Sequence, residues 1–441
     1  MANDVGRKMQ RTLRGLAAGL LCLGLLAAGR AGAAENGKFR LGIVTFLSGG
    51  AAGLFGVPAG NAAKITIDAL NKGTFPAPYA KLKGINGLEI EPVVIDENGG
   101  PGKQVEEYRN LVQRHKVDAV IGYISSGDCL AIAPVAEELK TPTVFFDCGT
   151  SRLFEDDKAP RYVFRTGLDA AVDNIAAARY VVEVKKDLKT IGGIQQNYAW
   201  GQDSWGDFVT TVKQLKPDVK VVAEQFPKLM QGQYSAEISA LFAANPDVLH
   251  SSFWGGDMES FVLQGQARGL FAHRITLLTC GESAVEHFKG RAPDGIVVGG
   301  RGPFGAFAPK NPLSDWLRAE YAAQFKEAPN YPAFKMVQAI LGLKAAAEKG
   351  AKPSKVPAAD EVVGGFTGLT YESPGGTVAM SLAKGHQASQ GIAYAEYRYD
   401  GKSGKYSLAN VRSYPAACVT PPEGMTAKAW VQAGFPGAKC N

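Results

Sequence analysis

The chain has 441 residues, 46% hydrophobic and 20% charged, an ordinary globular composition with length enough for two or more sizeable cores. Its formal net charge of +6 sits mostly at the N-terminus: residues 1–33 hold five Lys and Arg against one Asp, a net of +4, so the rest carries +2. A chain that close to neutral gives no electrostatic case for nucleic-acid binding.

The first stretch, "MANDVGRKMQRTLRGLAAGLLCLGLLAAGRAGAAENG", has the layout of a secretory signal peptide. A basic segment (Arg7, Lys8, Arg11, Arg14) precedes an apolar run from Leu16 to Ala28, and small residues follow at Ala31, Gly32 and Ala33. The run is short for a membrane span. A signal peptide over residues 1–33 and a periplasmic mature protein are expected. Cys22 lies inside the run and is expected to leave with it. Five cysteines remain: Cys129, Cys148, Cys280, Cys418 and Cys440. Export permits disulfides, and the odd count leaves at least one thiol over. Cys418 and Cys440 flank a Pro/Gly-rich tail and are natural partners. Cys129 and Cys148 each follow a predicted strand and could face one another, small buried thiols being the plain alternative. Their spacing suits neither zinc nor a redox pair, so no metal and no cofactor is expected.

From Phe39 onward, hydrophobic strands alternate with helical patterns. "FRLGIVTFL", "LEIEPVVID", "VDAVIGYI" and "TPTVFF" read as strands. "GVPAGNAAKITIDALNKG", "GKQVEEYRNLVQRHK" and "CLAIAPVAEELK" read as the helices between them. The pattern then restarts: helix "AAVDNIAAARYVVEVKK", then strands "LKTIGGIQQ", "VKVVAEQFP", "PDVLHSSFW" and "RITLLTC" with helices between. Helices between hydrophobic strands imply parallel pairing and right-handed crossovers. Two such runs predict an α/β fold of two doubly wound parallel-sheet lobes. Further helices are expected in "PLSDWLRAEYAAQFKEA", "PAFKMVQAILGLKAAAEKG" and "AADEVVGGF". A hairpin is expected around Asp400-Gly401, followed by an irregular tail from Pro421. The domain plan is lobe 1 over 37–165 and 302–367, and lobe 2 over 166–301 and 368–441.

In open α/β sheets, ligands bind beyond the carboxyl ends of the strands. The residues there are "LSGGAAGLFG", "YISSGDC" and "DCGTSRLF" in the first half, and "QNYAWGQDSW", "FWGGDMES" and "CGES" in the second. Hydroxyls at Ser48, Ser126, Thr150 and Ser151 suit hydrogen bonding. Gly50, Gly127 and Gly149 let backbone N–H groups come close. Tyr123, Tyr198, Trp200, Phe253 and Trp254 offer apolar surface. Glu282, with Asp203 beside it as a second candidate, suits an ammonium group. Each turn has a bland reading too: a helix cap for the serines, core filling for the aromatics, a solvated carboxylate for Glu282.

These stretches together resemble the type I periplasmic binding proteins of the branched-chain amino-acid group, the solute receptors of ABC importers. "IGYISSGDCLAIAPVAEELKTPTVFFDCGTSRLF", "GGIQQNYAWGQDSWGDFVTTVKQL" and "PDVLHSSFWGGDMESFVLQGQARGLFAHRITLLTCGES" carry the resemblance. It implies two lobes joined by hinge crossovers, no catalysis, a small-molecule solute, and a permease and ATPase as partners. It further implies that Ser125, Ser126, Gly149 and Thr150 hold a ligand carboxylate. Tyr198 or Trp200 covers the ligand, Phe253 or Trp254 forms another wall, Glu282 takes an ammonium, and Leu54 and Phe55 line a side-chain pocket. Asp128 departs from the pattern, because a carboxylate beside a bound carboxylate is unfavourable unless it caps its helix or points away. That opens the ligand class to amides, urea-like compounds and aromatic acids.

Two other classes compete. An α/β enzyme would need a motif that is missing: "LSGGAAGLFG" does not fit G-x-G-x-x-G, and there is no P-loop, G-x-S-x-G or H-E-x-x-H. A periplasmic sensor for a signalling partner would share the fold, since fold does not fix function. A monomer suits a diffusing receptor.

Overall fold

The structure is a computed structural model that describes residues 37–154 and 160–440; the expected signal peptide lies outside them. The first run folds as predicted. β1 (Lys38–Thr45), β2 (Glu89–Asp96), β3 (Ala119–Gly122), β4 (Thr143–Phe145) and β5 (Val163–Arg165) pair in parallel in the order β2-β1-β3-β4-β5. Helices α1 (Val57–Lys72), α2 (Gly100–Gln113) and α3 (Ser126–Leu139) lie between them. The stop predicted at Gly73 is a left-handed cap (φ 73°), the conformation that favours glycine.

The second run repeats the plan. After α4 (Ala170–Val184), strands β6 (Thr190–Ile194), β7 (Lys220–Gln225), β8 (Val248–Ser251), β9 (Ile275–Leu278) and β10 (Val297–Gly299) pair in the order β7-β6-β8-β9-β10. Helices α5 (Ala199–Leu215), α6 (Ser235–Ala244) and α7 (Gly255–Ala267) connect them. The chain then passes a short helix α8 (Val285–Phe288), leaves by β10, and returns to the first lobe as α9 (Pro312–Phe325) and α10 (Tyr331–Gly350). α10 is buried along most of its length and packs on α1.

The second return comes later than the sequence plan placed it. Strands β11 (Thr370–Ser373), β12 (Gly376–Leu382) and β13 (Gln387–Ser389) extend the first sheet, with β13 pairing beside β5. Lobe 2 therefore resumes near Ile392, not at 368. The reason is local: Tyr371 and Ser373 are buried while Thr370 and Glu372 are exposed, a period-2 alternation that makes a half-buried strand. β14 (Ile392–Asp400) and β15 (Lys405–Tyr414) form the expected hairpin on the second sheet, with Asp400 opposite Lys405. The tail is more regular than expected: a helix at Ala427–Gln432 buries Trp430 against the second lobe's core.

Both disulfides weighed from spacing are formed, Cys129–Cys148 and Cys418–Cys440, and Cys280 is a buried free thiol. The chain crosses between the sheets after β5, after β10 and after β13. Polar side chains tie these crossings together. Gln338 donates to Thr166 O (2.6 Å) and Gln390 Oε1 (2.7 Å), and Gln387 donates to Gly167 O (2.8 Å).

Candidate functional site

Both sheets have the same switch point, where neighbouring strands send their chains to opposite faces and a crevice opens beyond their carboxyl ends. In the first sheet it lies between β1 and β3, and in the second between β6 and β8. The loops leaving these strands carry Leu54 and Phe55, Ser125 and Ser126, Tyr198 and Trp200, and Phe253 and Trp254.

On the first lobe, the Ser126 hydroxyl accepts from Gly149 N (3.3 Å) and Thr150 N (3.1 Å), which joins the turns after β3 and β4. The Cys129–Cys148 disulfide joins the same two turns. Ser125 is the N-cap of α3, its hydroxyl accepting from Asp128 N. The two amides ahead of that helix are already engaged: Ile124 N and Ser125 N donate to the Glu97 carboxylate at 2.8 to 3.0 Å. Asp128, 1% exposed, lies beside Glu97. Burial, reinforced by the Asp128 charge, raises the Glu97 carboxyl well above its usual range, and burial raises Asp128 as well. Tyr123 packs edge-on to Phe145 inside the lobe, so it offers no ligand surface. Ser48 is exposed and donates to Asp96.

On the second lobe, Trp200 donates its indole N–H to Ser252 O (2.8 Å), and Trp254 donates to the Tyr198 hydroxyl (2.8 Å). Trp254 meets Phe46 (5.9 Å) and Phe55 (5.3 Å) from the first lobe, and Phe55 meets Tyr331 edge-on (5.5 Å). Of the two wall candidates, Trp254 faces the first lobe. Phe253 points the other way, against Tyr234 (4.9 Å) and Phe261 (5.6 Å) in the second lobe's core. Adjacent residues leaving a strand point to opposite sides, so only one of the pair can form the wall. His250, read as an ordinary core or surface residue, is core: it donates to Asn174 Oδ1 and meets Gln195 Nε2, and burial drives its pKa down to about 3.

The lobes touch at both edges of the crevice. At one, Gly256 N donates to Gly50 O (2.8 Å). At the other, Asp203 accepts from the Thr150 hydroxyl (2.7 Å) and from Arg152 Nε (2.8 Å). Asp203 therefore joins the two lobes, each of its oxygens accepting from the first. At the base, the Arg301 guanidinium lies 4.2 Å over the Trp200 ring. It bonds Asp147 of the first lobe (2.6 Å) and Asp173 of the second (2.9 Å), and Lys335 also bonds Asp147 (2.8 Å).

Two facing switch-point rims that meet over a crevice are what a two-lobed solute receptor needs. The family model described as "Periplasmic binding protein" matches residues 38–404. The chain belongs to the periplasmic binding protein family. Solved structures agree in fold. An R. palustris ABC-transporter solute-binding protein in complex with benzoate superposes with a TM-score of 0.75 at 21% identity, covering 88% of this chain and 99% of the other. A Rhodopseudomonas palustris BisB5 solute-binding protein with 3,4-dihydroxybenzoic acid gives 0.72 at 21%, covering 86% and 98%. A leucine-binding protein from Thermotoga maritima gives 0.71 at 18%, covering 85% and 98%. None of the curated proteins compared matches the sequence.

Within this binding protein Glu282 holds an unexpected position. It is 2% exposed, and its two oxygens accept from Ala306 N (2.7 Å) and Tyr331 N (2.8 Å). The carboxylate expected to receive an ammonium thus binds the segment returning to the first lobe and the first turn of α10. Burial pushes its pKa up to about 7. Sequence reasoning missed Glu97, Asp147, Arg301, Tyr331 and Lys335. Glu97, Asp147 and Arg301 each follow a strand end within two residues, so the rule that found the hydroxyls would have found them. Tyr331 and Lys335 come from α10, which reaches the crevice only through the return of the chain. Among the described residues there is no His/Cys/Asp/Glu group able to hold a metal ion, and no helix is long and apolar enough to cross a membrane.

Proposed function

We propose that this binding protein is the periplasmic solute receptor of an ABC importer, exported by its N-terminal signal and presenting its closed form to a membrane permease. The reading rests most on one observation: the two switch-point rims face each other, touch at Gly50–Gly256 and at Thr150–Asp203, and bring Trp254 of the second lobe against Phe46 and Phe55 of the first. Rotation about the three crossings opens and closes such a crevice. The groups in it are hydrogen-bonding and aromatic, suited to holding a small solute and releasing it unchanged.

The test uses mature protein freed of carried-over solute by reversible unfolding. Its melting temperature is recorded against aliphatic and aromatic amino acids, amides, ureas, aromatic acids and aromatic amines. A solute at a hundred times its Kd adds about 2.7 kcal/mol to native stability, so a true ligand raises Tm by several degrees. A shift with one class establishes the receptor. A flat panel, together with normal solute uptake in a strain lacking the gene, refutes it.

A further inference from the structure

One turn of the first lobe, Asp147 to Thr150, receives the second lobe at three points. The Thr150 hydroxyl donates to Asp203 (2.7 Å). Gly149 lies so close under Trp200 and Arg301 that a Cβ there would stand 2.3 Å from Trp200 Cζ3 and 2.4 Å from Arg301 Nη2. Asp147 takes the Arg301 guanidinium directly, Nη1 donating to its Oδ1 (2.6 Å) and to its backbone O (2.8 Å). Trp200 and Asp203 are three residues apart on α5 and share a face of that helix. Arg301 joins them from the crossing after β10, 4.2 Å over the Trp200 ring. It sits there against its own backbone preference: its φ is 51°, a left-handed conformation unfavourable for a side chain of that size. Such a conformation persists where the surroundings over-determine it, here through the bonds of the Arg301 side chain.

The four buried charges of this cluster divide by lobe. Lys335 on α10 bonds Asp147 (2.8 Å), and both belong to the first lobe. Arg301 bonds Asp173 on α4 (2.9 Å), and α4 packs in the second lobe's core. Separating the lobes therefore leaves one neutral ion pair in each. Within the cluster, the ion pair that parts is Arg301–Asp147. A buried charge left without a partner is strongly unfavourable, and here neither lobe is left with one. The cross-lobe bond can thus be made and broken while each lobe keeps its own pair.

We infer, building on the receptor reading, that Arg301 is a positioning residue for closure: it travels with the second lobe, and its bonds to Asp147 latch that lobe, with the Trp200 ring it covers, onto the first. The guanidinium fork suits this task, because Nε holds Asp173 while Nη1 reaches Asp147. Closing the latch seats Trp200 over Gly149 and brings Asp203 to Thr150. The base of the crevice and its rim then close as one movement, and Arg301 sets how much of the solute-free protein is closed.

Closure can be read without any solute. The rims touch where Gly256 N donates to Gly50 O, and a Cβ at Gly256 would lie 3.9 Å from Gly50 Cα, within the reach of a disulfide. In mature protein carrying Gly50→Cys and Gly256→Cys, the rate of cross-linking by oxidised glutathione reports the closed population, and peptide mass mapping identifies the bond. Two changes are then added to that protein. Arg301→Lys keeps the charge but gives a single ammonium that cannot fork between two aspartates. Asp147→Asn/Lys335→Met removes the first lobe's pair together and leaves Arg301–Asp173 intact. Each is expected to slow cross-linking by about tenfold, a change of about 1.4 kcal/mol in the closing equilibrium. Combined, they should slow it little further, because both break the same bond. A merely structural role would lower the urea midpoint and leave the cross-linking rate of the folded protein unchanged, and that result overturns the inference. Should Arg301→Lys fail to fold, the other variant decides, since it leaves no charge unpaired. An unslowed rate leaves the receptor reading standing. A failed solute panel refutes that reading without touching the latch.

Discussion

Ser126 and Gly149 are the residues on which the first-lobe turn depends most directly. Ser126 Oγ is the acceptor for two buried amides, Gly149 N and Thr150 N. Ser126→Ala leaves both unpaired, and a buried unsatisfied donor costs about 1–3 kcal/mol. Urea unfolding should show a loss of that order, with weaker solute binding; an unmoved midpoint would show that water replaces the hydroxyl without penalty. Gly149 is needed for space. A Cβ there would lie 2.3 Å from Trp200 Cζ3 and 2.4 Å from Arg301 Nη2. Neither neighbour can yield, since Trp200 is tied to Ser252 O and Arg301 to two aspartates. Opening the crevice relieves the clash, so Gly149→Ala should lower solute affinity by about tenfold or more while each lobe keeps its stability. Calorimetry reads the first effect and urea unfolding the second. The sequence was informative here wherever a residue's neighbours are set by its own strand end: Ser126, Gly149, Thr150, Trp200 and Trp254 all lie on the rim. It was uninformative where the partner comes from far along the chain. Nothing local in "CGES" says that Glu282 accepts from Ala306 N and Tyr331 N, and nothing local in "YAWGQDSW" says that Asp203 is matched to Arg152 and Thr150.

At the scale of elements, the turns after β3 and β4 are held as one unit by the Cys129–Cys148 disulfide, which spans a sequence separation of 19. A cross-link closing a loop of that size restricts the unfolded chain by about 3 kcal/mol. The double variant Cys129→Ala/Cys148→Ala should lose stability of that order in urea. The same variant should also bind solute more weakly, because the Gly149–Thr150 turn then loses its covalent tie to α3 and is held by hydrogen bonds alone. Equal stability with and without the bond would mean that the packing of α3 on β3 and β4 already fixes the turns. The alternating strands and helices were legible because parallel buried strands such as "DAVIG" read as continuous apolar runs. β11 to β13 were not, because short, half-exposed strands give only a few residues of alternation. That is why lobe 2 was expected to resume at 368 when it resumes near 392. The tail misled for a related reason: its Pro and Gly suggest irregular chain, yet Trp430 and Phe435 anchor it and Cys418–Cys440 closes it.

Across the whole molecule, burial of ionisable groups sets a pH dependence whose sign can be worked out. Glu282 has its pKa raised from 4.5 to about 7, mainly by burial, with Ala306 N, Tyr331 N and Arg318 opposing and Glu286 adding to the rise. A group raised on folding contributes stability that is complete below its unfolded pKa and is lost as pH climbs through the folded one. For Glu282 the window is 4.5 to 7, and the change is about 3 kcal/mol. Glu97 and Asp128 are shifted the same way and add to it. His250 acts against them. Its pKa falls from 6.5 to about 3 on burial, so its contribution is complete above 6.5 and is lost as pH falls through that window. His386 is lowered by burial in the same way, so three raised carboxyls stand against two imidazoles between 4.5 and 7, and the carboxyls prevail. The native protein should therefore become more stable on mild acidification from pH 7.5 to about 5, the reverse of ordinary acid unfolding. Urea midpoints at three pH values test this. Glu282→Gln should flatten the slope, and His250→Asn should steepen it by freeing the carboxyls from one opponent. Because Glu282 lies on the second lobe and its acceptor oxygens meet N–H groups of the returning first-lobe segment, its proton should also follow the lobes. The closed form holds it more tightly than an open form in which the carboxyl meets water, so closure itself is expected to take up protons near neutrality. A wild-type protein whose stability falls steadily from pH 7.5 to 5 would show that the buried imidazoles, and not the buried carboxyls, govern the balance.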